Sequence, residues 1–254
     1  LSPDNQKVAF VKNNNVYIKN LADGTITTVT TDGEKNKIIN AVPDWVYQEE
    51  FGILNSLKWS PSSNTLAFIR YDESQVPMYP MPMYEGDCHP NKDYSLYPGS
   101  YDYKYPVAGE KNSVVSVMAY DLATSRLQKM NLPITDNDYV PHIDYGTQDD
   151  RLMVSTLNRT QNDLHIYAVN PATAQATEVY AEQSTSWIDS KSANDVMYYD
   201  TFFVMPSEKS GYMHLYQYAY DGRLIKQLTS GNENVTEFYG YDKARKQFFY
   251  QRTN

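Results

Sequence analysis

Short apolar runs alternate with clusters of Gly, Pro, Asn and Asp along the whole chain, and no helical stripe extends beyond about two turns. This patterning predicts strands joined by tight turns. The runs also repeat. "SPDNQKVAFVKNNNVYIKNLADGTITTV" begins at Ser2, and "SPSSNTLAFIRYD" repeats its opening from Ser60. The half-unit "VYIKNLADGTITTV" around Tyr17 returns as "VMAYDLATSRLQKM" around Met118, "HIYAVNPATAQATEV" around Tyr167 and "HLYQYAYDGRLIKQL" around Tyr216. Met118, Tyr167 and Tyr216 follow one another at intervals of 49 residues.

Each unit reads as turn, apolar strand, polar loop, strand with aromatics, tight turn, strand. The tight turns fall at Asp23-Gly24, Thr124-Ser125, Ala172-Thr173 and Asp221-Gly222. The two Asp-Gly pairs are strong hairpin signals. A four-stranded antiparallel unit recurring every roughly 40 to 50 residues predicts β-propeller blades. One blade cannot cover its own apolar faces, so neighbours stack. The fold class is therefore all-β, a β-propeller, with an elongated sandwich or solenoid as the alternative. The length holds about four blades plus partial ones. The expected shape is an open arc whose exposed strand edges are open to partners. The chain opens and closes in mid-pattern and is expected to be a piece of a longer protein.

Two insertions break the repeat. The first, residues 40–56, contains "DWVYQEEF". The second, residues 73–112, is rich in Pro, Tyr and Met. Proline blocks helices and central strands, so this segment is expected to be an extended arm. It serves either contact with another protein or packing on its own propeller.

Composition narrows the function. The chain has 254 residues, 41% of them hydrophobic and 21% charged, enough for a sizeable core. Tyrosine, with 24 residues against 8 phenylalanines, suits strands and half-buried surfaces. The net charge of −9 argues against a nucleic-acid partner and an anionic membrane surface. Basic ligands suit it, and so does simple solubility. No apolar run approaches the roughly 18 residues that span a bilayer. A single cysteine, Cys88, allows no internal disulfide, and with His89 alone beside it no zinc site is expected. No metal or cofactor is expected elsewhere either.

The adjacent Glu49 and Glu50 are the candidate site. Two carboxylates can share the N–H donors of a peptide's terminal ammonium, and their mutual repulsion makes the place selective for a cation. Adjacent residues converge only in a short helical turn or irregular segment. Pro43 and Asp44 can start such a turn, Gly52 can end it, and Trp45 and Tyr47 can hold it on the blade. The pair alone also fits a solvated surface turn. A glycosidase pair is a poorer fit, because its carboxylates sit about 5 to 9.5 Å apart and usually on separate strands. No G-x-S-x-G nucleophile elbow occurs. His165 and His214 share one repeat position and read as blade residues, while His89 and His142 are scattered. Asn158-Arg-Thr and Asn234-Val-Thr are glycosylation-type triplets, meaningful only in a eukaryotic secretory protein.

"DWVYQEEF", "LKWSPSSNTLAFIRYDESQVPMY", "YDYKYPVAGEKNSVVSVMAYDL" and "SEKSGYMHLYQYAYDG" together resemble the propeller domain of the dipeptidyl peptidase IV family, bacterial type, among the prolyl oligopeptidase-type serine peptidases. The resemblance implies an eight-bladed propeller covering an α/β-hydrolase domain with a Ser-Asp-His triad, absent from these residues. It implies that Glu49 and Glu50 bind the substrate's N-terminal ammonium. Relatives often carry three consecutive glutamates where this chain has Gln48 first. An orienting arginine is expected upstream of residue 1. The implied activity is release of Xaa-Pro or Xaa-Ala dipeptides by a periplasmic, secreted or cell-surface enzyme. The arm is implied to form a homodimer. Two extended residues span about 7 Å, so carboxylates at that distance from a serine would set the cut after the second residue. A non-catalytic propeller acting as an interaction scaffold is the alternative function.

Overall fold

A computed structural model describes residues 1–84 and 99–254. Cys88, His89 and the centre of the 73–112 arm lie outside the described residues. The first sheet is three-stranded: β1 (Lys7–Lys12), β2 (Asn15–Asn20) and β3 (Ile26–Thr28), in that order. The second takes β4 (Ile38–Asn40) and β5 (Lys58–Trp59) on one side of β6 (Thr65–Asp72). Beyond β6, past a hairpin of β7 (Met78–Met83) and β8 (Gly99–Lys104), come β9 (Val114–Asp121) and β10 (Arg126–Lys129). The third sheet runs β11 (Tyr139–Asp144), β12 (Leu152–Leu157), β13 (Asp163–Val169) and β14 (Ala176–Gln183). The fourth runs β15 (Met197–Tyr198), β16 (Phe202–Ser207), β17 (His214–Ala219) and β18 (Leu224–Gln227). A final pair, β19 (Val235–Asp242) and β20 (Gln247–Arg252), begins another unit. Within these blade-like sheets every pairing is antiparallel.

The repeat seen in the sequence is a structural one. Tyr17, Met118, Tyr167 and Tyr216 all fall on the strand next to the outer edge: β2, β9, β13 and β17. The turns after β2, β9 and β13 are alike, and the β19–β20 turn repeats them. Asn20, Asp121, Asn170 and Asp242 each use a side-chain oxygen to accept main-chain N–H groups two or three residues on. Four residues further, Gly24, Ser125, Ala174 and Lys246 take left-handed φ between 55° and 77°. Asn and Asp suit this because their short side chains mimic the turning backbone.

Burial shows why the units stack. On β6, Leu66 and Phe68 pack toward the first sheet with Val16 and Ile18. Ala67, Ile69 and Tyr71 face the other way, into a cluster with Val154, Ile166 and Met205. On β16, Phe203 and Met205 join that same cluster, whereas Val204 meets Leu215, Val235 and Phe238. Successive residues point to opposite faces of a strand, so each central sheet is buried on both faces. In a two-layer sandwich one face of each sheet would be wet. Three sheets of four or more strands, flanked by partial ones, form an open β-propeller arc. In each sheet of three or more strands the first strand, such as β11 with Val140, Pro141 and Ile143 buried, is less exposed than the last, such as β3, and the strands between are buried deepest. The first strands therefore mark the inner edge.

The arm emerges between β6 and β9 as the ribbon β7–β8. Pro80 and Pro82 lie two residues apart, so their missing N–H groups fall on one edge of β7, which a two-stranded ribbon tolerates.

Candidate functional site

The inner strand of the second sheet is split. β4 pairs Asn40 with Arg70, and β5 resumes with Lys58 opposite Ala67, so residues 41–57 stand opposite only Phe68 and Ile69. The gap in the ladder is closed locally. Ala41 N–H donates to the Ile69 carbonyl at 2.9 Å, Ser56 Oγ donates to the Ala41 carbonyl at 3.1 Å, and Ile69 N–H donates to Ser56 Oγ at 3.4 Å. What lies between leaves the sheet as an excursion.

The excursion carries α1 (Trp45–Glu49). Five residues are far too few to hold a helix by propensity. Asp44 caps it, accepting the Tyr47 N–H at 3.0 Å. Gln48 Nε2 donates back to the Pro43 carbonyl at 2.6 Å. Gly52, at φ +65°, turns the chain away where a side chain would be strained.

Three blades fasten this turn. From the second, the Ser113 hydroxyl donates to Asp44 Oδ2 at 2.5 Å. From the third, Val140 N–H donates to the Tyr47 hydroxyl at 2.9 Å. From α2 (Lys191–Asn194), just before the fourth, Asn194 Nδ2 donates to the Phe51 carbonyl at 3.2 Å. Tyr47 is only 1% exposed, and its ring meets Tyr71 edge-on at 4.9 Å. Trp45 is half-buried against the core, with its ring 4.2 Å from Tyr105 at the foot of the arm. Burial pushes the Asp44 carboxyl up from its ordinary pKa, against the pull of Ser113. Glu73 is pushed up as well, first by burial and then by Asp44.

Glu49 ends α1 and Glu50 is its C-cap; both side chains are exposed. Among the described residues neither side chain makes a hydrogen bond or ion pair, although the Glu50 main-chain N–H donates to the Val46 carbonyl at 2.8 Å. Glu50 lines a cavity of about 340 Å³ with Trp45, Phe51, Asn112, Tyr139 and Arg159. Glu49 is not in its lining, as expected for neighbours about 100° apart around a helix. The Tyr139 hydroxyl accepts from Asn112 at 2.7 Å. Burial raises the Tyr139 pKa most; Arg159 lowers it and Glu50 raises it, so both charges are felt at this hydroxyl. Among the described residues no group of three or more His, Cys, Asp or Glu side chains could hold a metal ion.

Arg159 and Asn194 reach the site from other blades and Asn112 from the far end of the arm insertion in the same blade, and no local sequence pattern marks them. Arg159 stands out in the sequence only as the middle of a glycosylation-type triplet. The three described histidines are elsewhere. His165 bridges Asp163 and Glu178 on the surface, His214 is buried against Thr229 and Gly231, and His142 is half-buried on β11.

Comparison with known proteins adds the family. Residues 1–254 match the "Dipeptidyl peptidase IV (DPP IV) N-terminal region". The chain belongs to this family. As a DPP IV N-terminal region it is 30% identical to dipeptidyl peptidase 4 of Trichophyton tonsurans over 262 residues, covering 99% of this chain and 33% of that protein. The crystal structure of Porphyromonas gingivalis dipeptidyl peptidase 4 superposes with a TM-score of 0.92 at 42% identity, over 99% of this chain and 35% of that one. A putative dipeptidyl aminopeptidase IV from Bacteroides ovatus, 23% identical, shares the fold with a TM-score of 0.75 over 98% of this chain and 41% of its own. The DPP IV N-terminal region thus spans about a third of the length of the curated relatives it matches.

Proposed function

We propose that this region is the substrate-gating propeller of a dipeptidyl peptidase IV-like serine exopeptidase, and that Glu49 and Glu50 anchor the N-terminal ammonium of the peptide. The observation that carries the reading is the excursion from the split inner strand. It presents two adjacent carboxylates, free of protein partners among the described residues, on a turn fastened to three blades. An α-amino group is largely protonated near neutral pH and offers three donors. Each charge-assisted bond contributes about 1.5 to 3 kcal/mol where partly desolvated. A rigid mount fixes how far the ammonium sits from a nucleophile supplied by a hydrolase domain in the same polypeptide. The peptide then advances by two residues and no further, and Xaa-Pro or Xaa-Ala dipeptides leave. An internal stretch of peptide brings no ammonium and leaves the carboxylates repelling each other.

The test is kinetic. In the full-length enzyme, Glu49→Gln and Glu50→Gln should each lower kcat/KM on Xaa-Pro amides by about tenfold or more. N-acetylation of the substrate should abolish cleavage by the unsubstituted enzyme. Variants with full activity, or ready cleavage of the acetylated substrate, would exclude the anchoring role.

A further inference from the structure

The cavity beside Glu50 contains an opposite charge that the anchoring of an ammonium does not use. Arg159 follows β12 in a tightly tied turn. Asn158 Oδ1 accepts from the main-chain N–H groups of Asn162 and Asp163 at 2.9 and 3.1 Å. Gln161 N–H donates to the Asn158 carbonyl at 2.9 Å, with Gln161 in the left-handed region at φ 52°. The backbone that carries Arg159 is thereby held in place. Its guanidinium donates from Nη2 to the main-chain carbonyl of Glu110. Among the described residues no carboxylate lies within ion-pair distance of it, Glu50 included.

A half-buried guanidinium usually finds an anion, because its five N–H donors are costly to leave unsatisfied. Here one donor is taken by a neutral carbonyl, while the side chain shares a cavity wall with an equally unpaired carboxylate. Two opposite charges that line one cavity without meeting suit a ligand that itself carries both signs. A peptide whose first residue is acidic is such a ligand. Its ammonium and its side-chain carboxylate leave the same Cα, so the two charges are only a few bonds apart.

We infer that Arg159 is a specificity-determining residue that pairs with an acidic side chain on the first residue of the bound peptide. The inference rests on the anchoring of the ammonium by the glutamate pair. With that end held beside Glu50, the first side chain is the substrate group nearest the cavity wall. A carboxylate there forms charge-assisted bonds with the guanidinium fork, and a lysine there is repelled.

The experiment uses the full-length enzyme and three matched chromogenic amides, Glu-Pro, Gly-Pro and Lys-Pro. In Arg159→Met the ratio of kcat/KM for Glu-Pro to that for Gly-Pro should fall about tenfold, and the ratio of Lys-Pro to Gly-Pro should rise. Arg159→Lys, which keeps the charge without the fork, should hold part of the Glu-Pro preference and guards against a folding defect in the methionine variant. Ratios unchanged in both variants would overturn the inference. So would an equal loss on all three substrates, which would place Arg159 against the peptide backbone. Glu50→Gln separates the two readings: its failure to lower activity on any of the three amides sinks ammonium anchoring, whereas unchanged ratios in the Arg159 variants sink side-chain selection alone.

Discussion

The hydroxyl of Tyr47 accepts the main-chain N–H of Val140 at 2.9 Å, across 93 positions of chain and from one blade to the next. Tyr47 stands two residues before Glu49. The bond therefore ties the carboxylate turn to the inner strand of the neighbouring blade. Tyr47→Phe removes the acceptor and leaves a buried N–H unpaired. It should lower stability by about 1–3 kcal/mol in urea denaturation of the full-length protein. If the turn positions the glutamates, KM for Xaa-Pro amides should rise in the same variant.

Asp44 separates capping from charge. Its carboxylate caps α1 and receives Ser113, yet burial raises its pKa above the unfolded value of 3.8. The favourable contribution is complete below that value and is lost as pH rises through the folded pKa, so the ionised form is held at a cost near neutrality. Asn keeps the capping oxygen without the charge. Asp44→Asn should match or exceed the unsubstituted protein in stability at pH 7, with the gap closing as pH falls toward 3.8. Asp44→Ala should cost about 0.5–2 kcal/mol. Thermal melts across pH would check both.

His142 supplies an acid limit. Burial, opposed by Asp144 and assisted by Lys58, pulls its pKa from 6.5 down to about 4. Among the described residues its Nε2 has no hydrogen-bond partner. Between those values the unfolded chain binds a proton that the folded chain refuses. Stability present above pH 6.5 is thus lost as pH drops toward 4, by on the order of 1 to 3 kcal/mol. His142→Gln cannot titrate and should flatten that part of the stability curve. An identical slope in the variant would remove His142 as the cause.

The arm exposes apolar side chains without cover. Met81 and Tyr101 are cross-strand partners in β7–β8 and are 38% and 55% exposed. If the arm mediates self-association of the full-length protein, Met81→Glu with Tyr101→Glu should weaken it. Neither change touches the contact between Trp45 and Tyr105. Sedimentation velocity over a concentration series checks this, and an unaltered distribution would mean that the arm serves its own propeller.

The legible part of this protein was periodic or local. The 49-residue interval among Met118, Tyr167 and Tyr216 is a property of the chain alone, and it sets the blade count because each anchor must occupy the same strand. The run from Pro43 to Gly52 announces a capped turn by residue type alone. The ammonium-binding role proposed for Glu49 and Glu50 is what the resemblance to a known family implies. The split of the inner strand was not legible, since Asn40 and Lys58 look like ordinary strand ends until both are seen beside β6.

Sequence by itself determined the repeat, the turns, the alternating faces that make every central blade two-sided, and the pairing of two glutamates on one short turn. Those features follow from steric rules that act over a few residues. Only the tertiary structure decided that Ser113, Val140 and Asn194 grip that turn from three blades and that Arg159 faces the same cavity as Glu50. A five-residue helix has no stability of its own, so its place and direction are set by partners far along the chain that no local pattern can name.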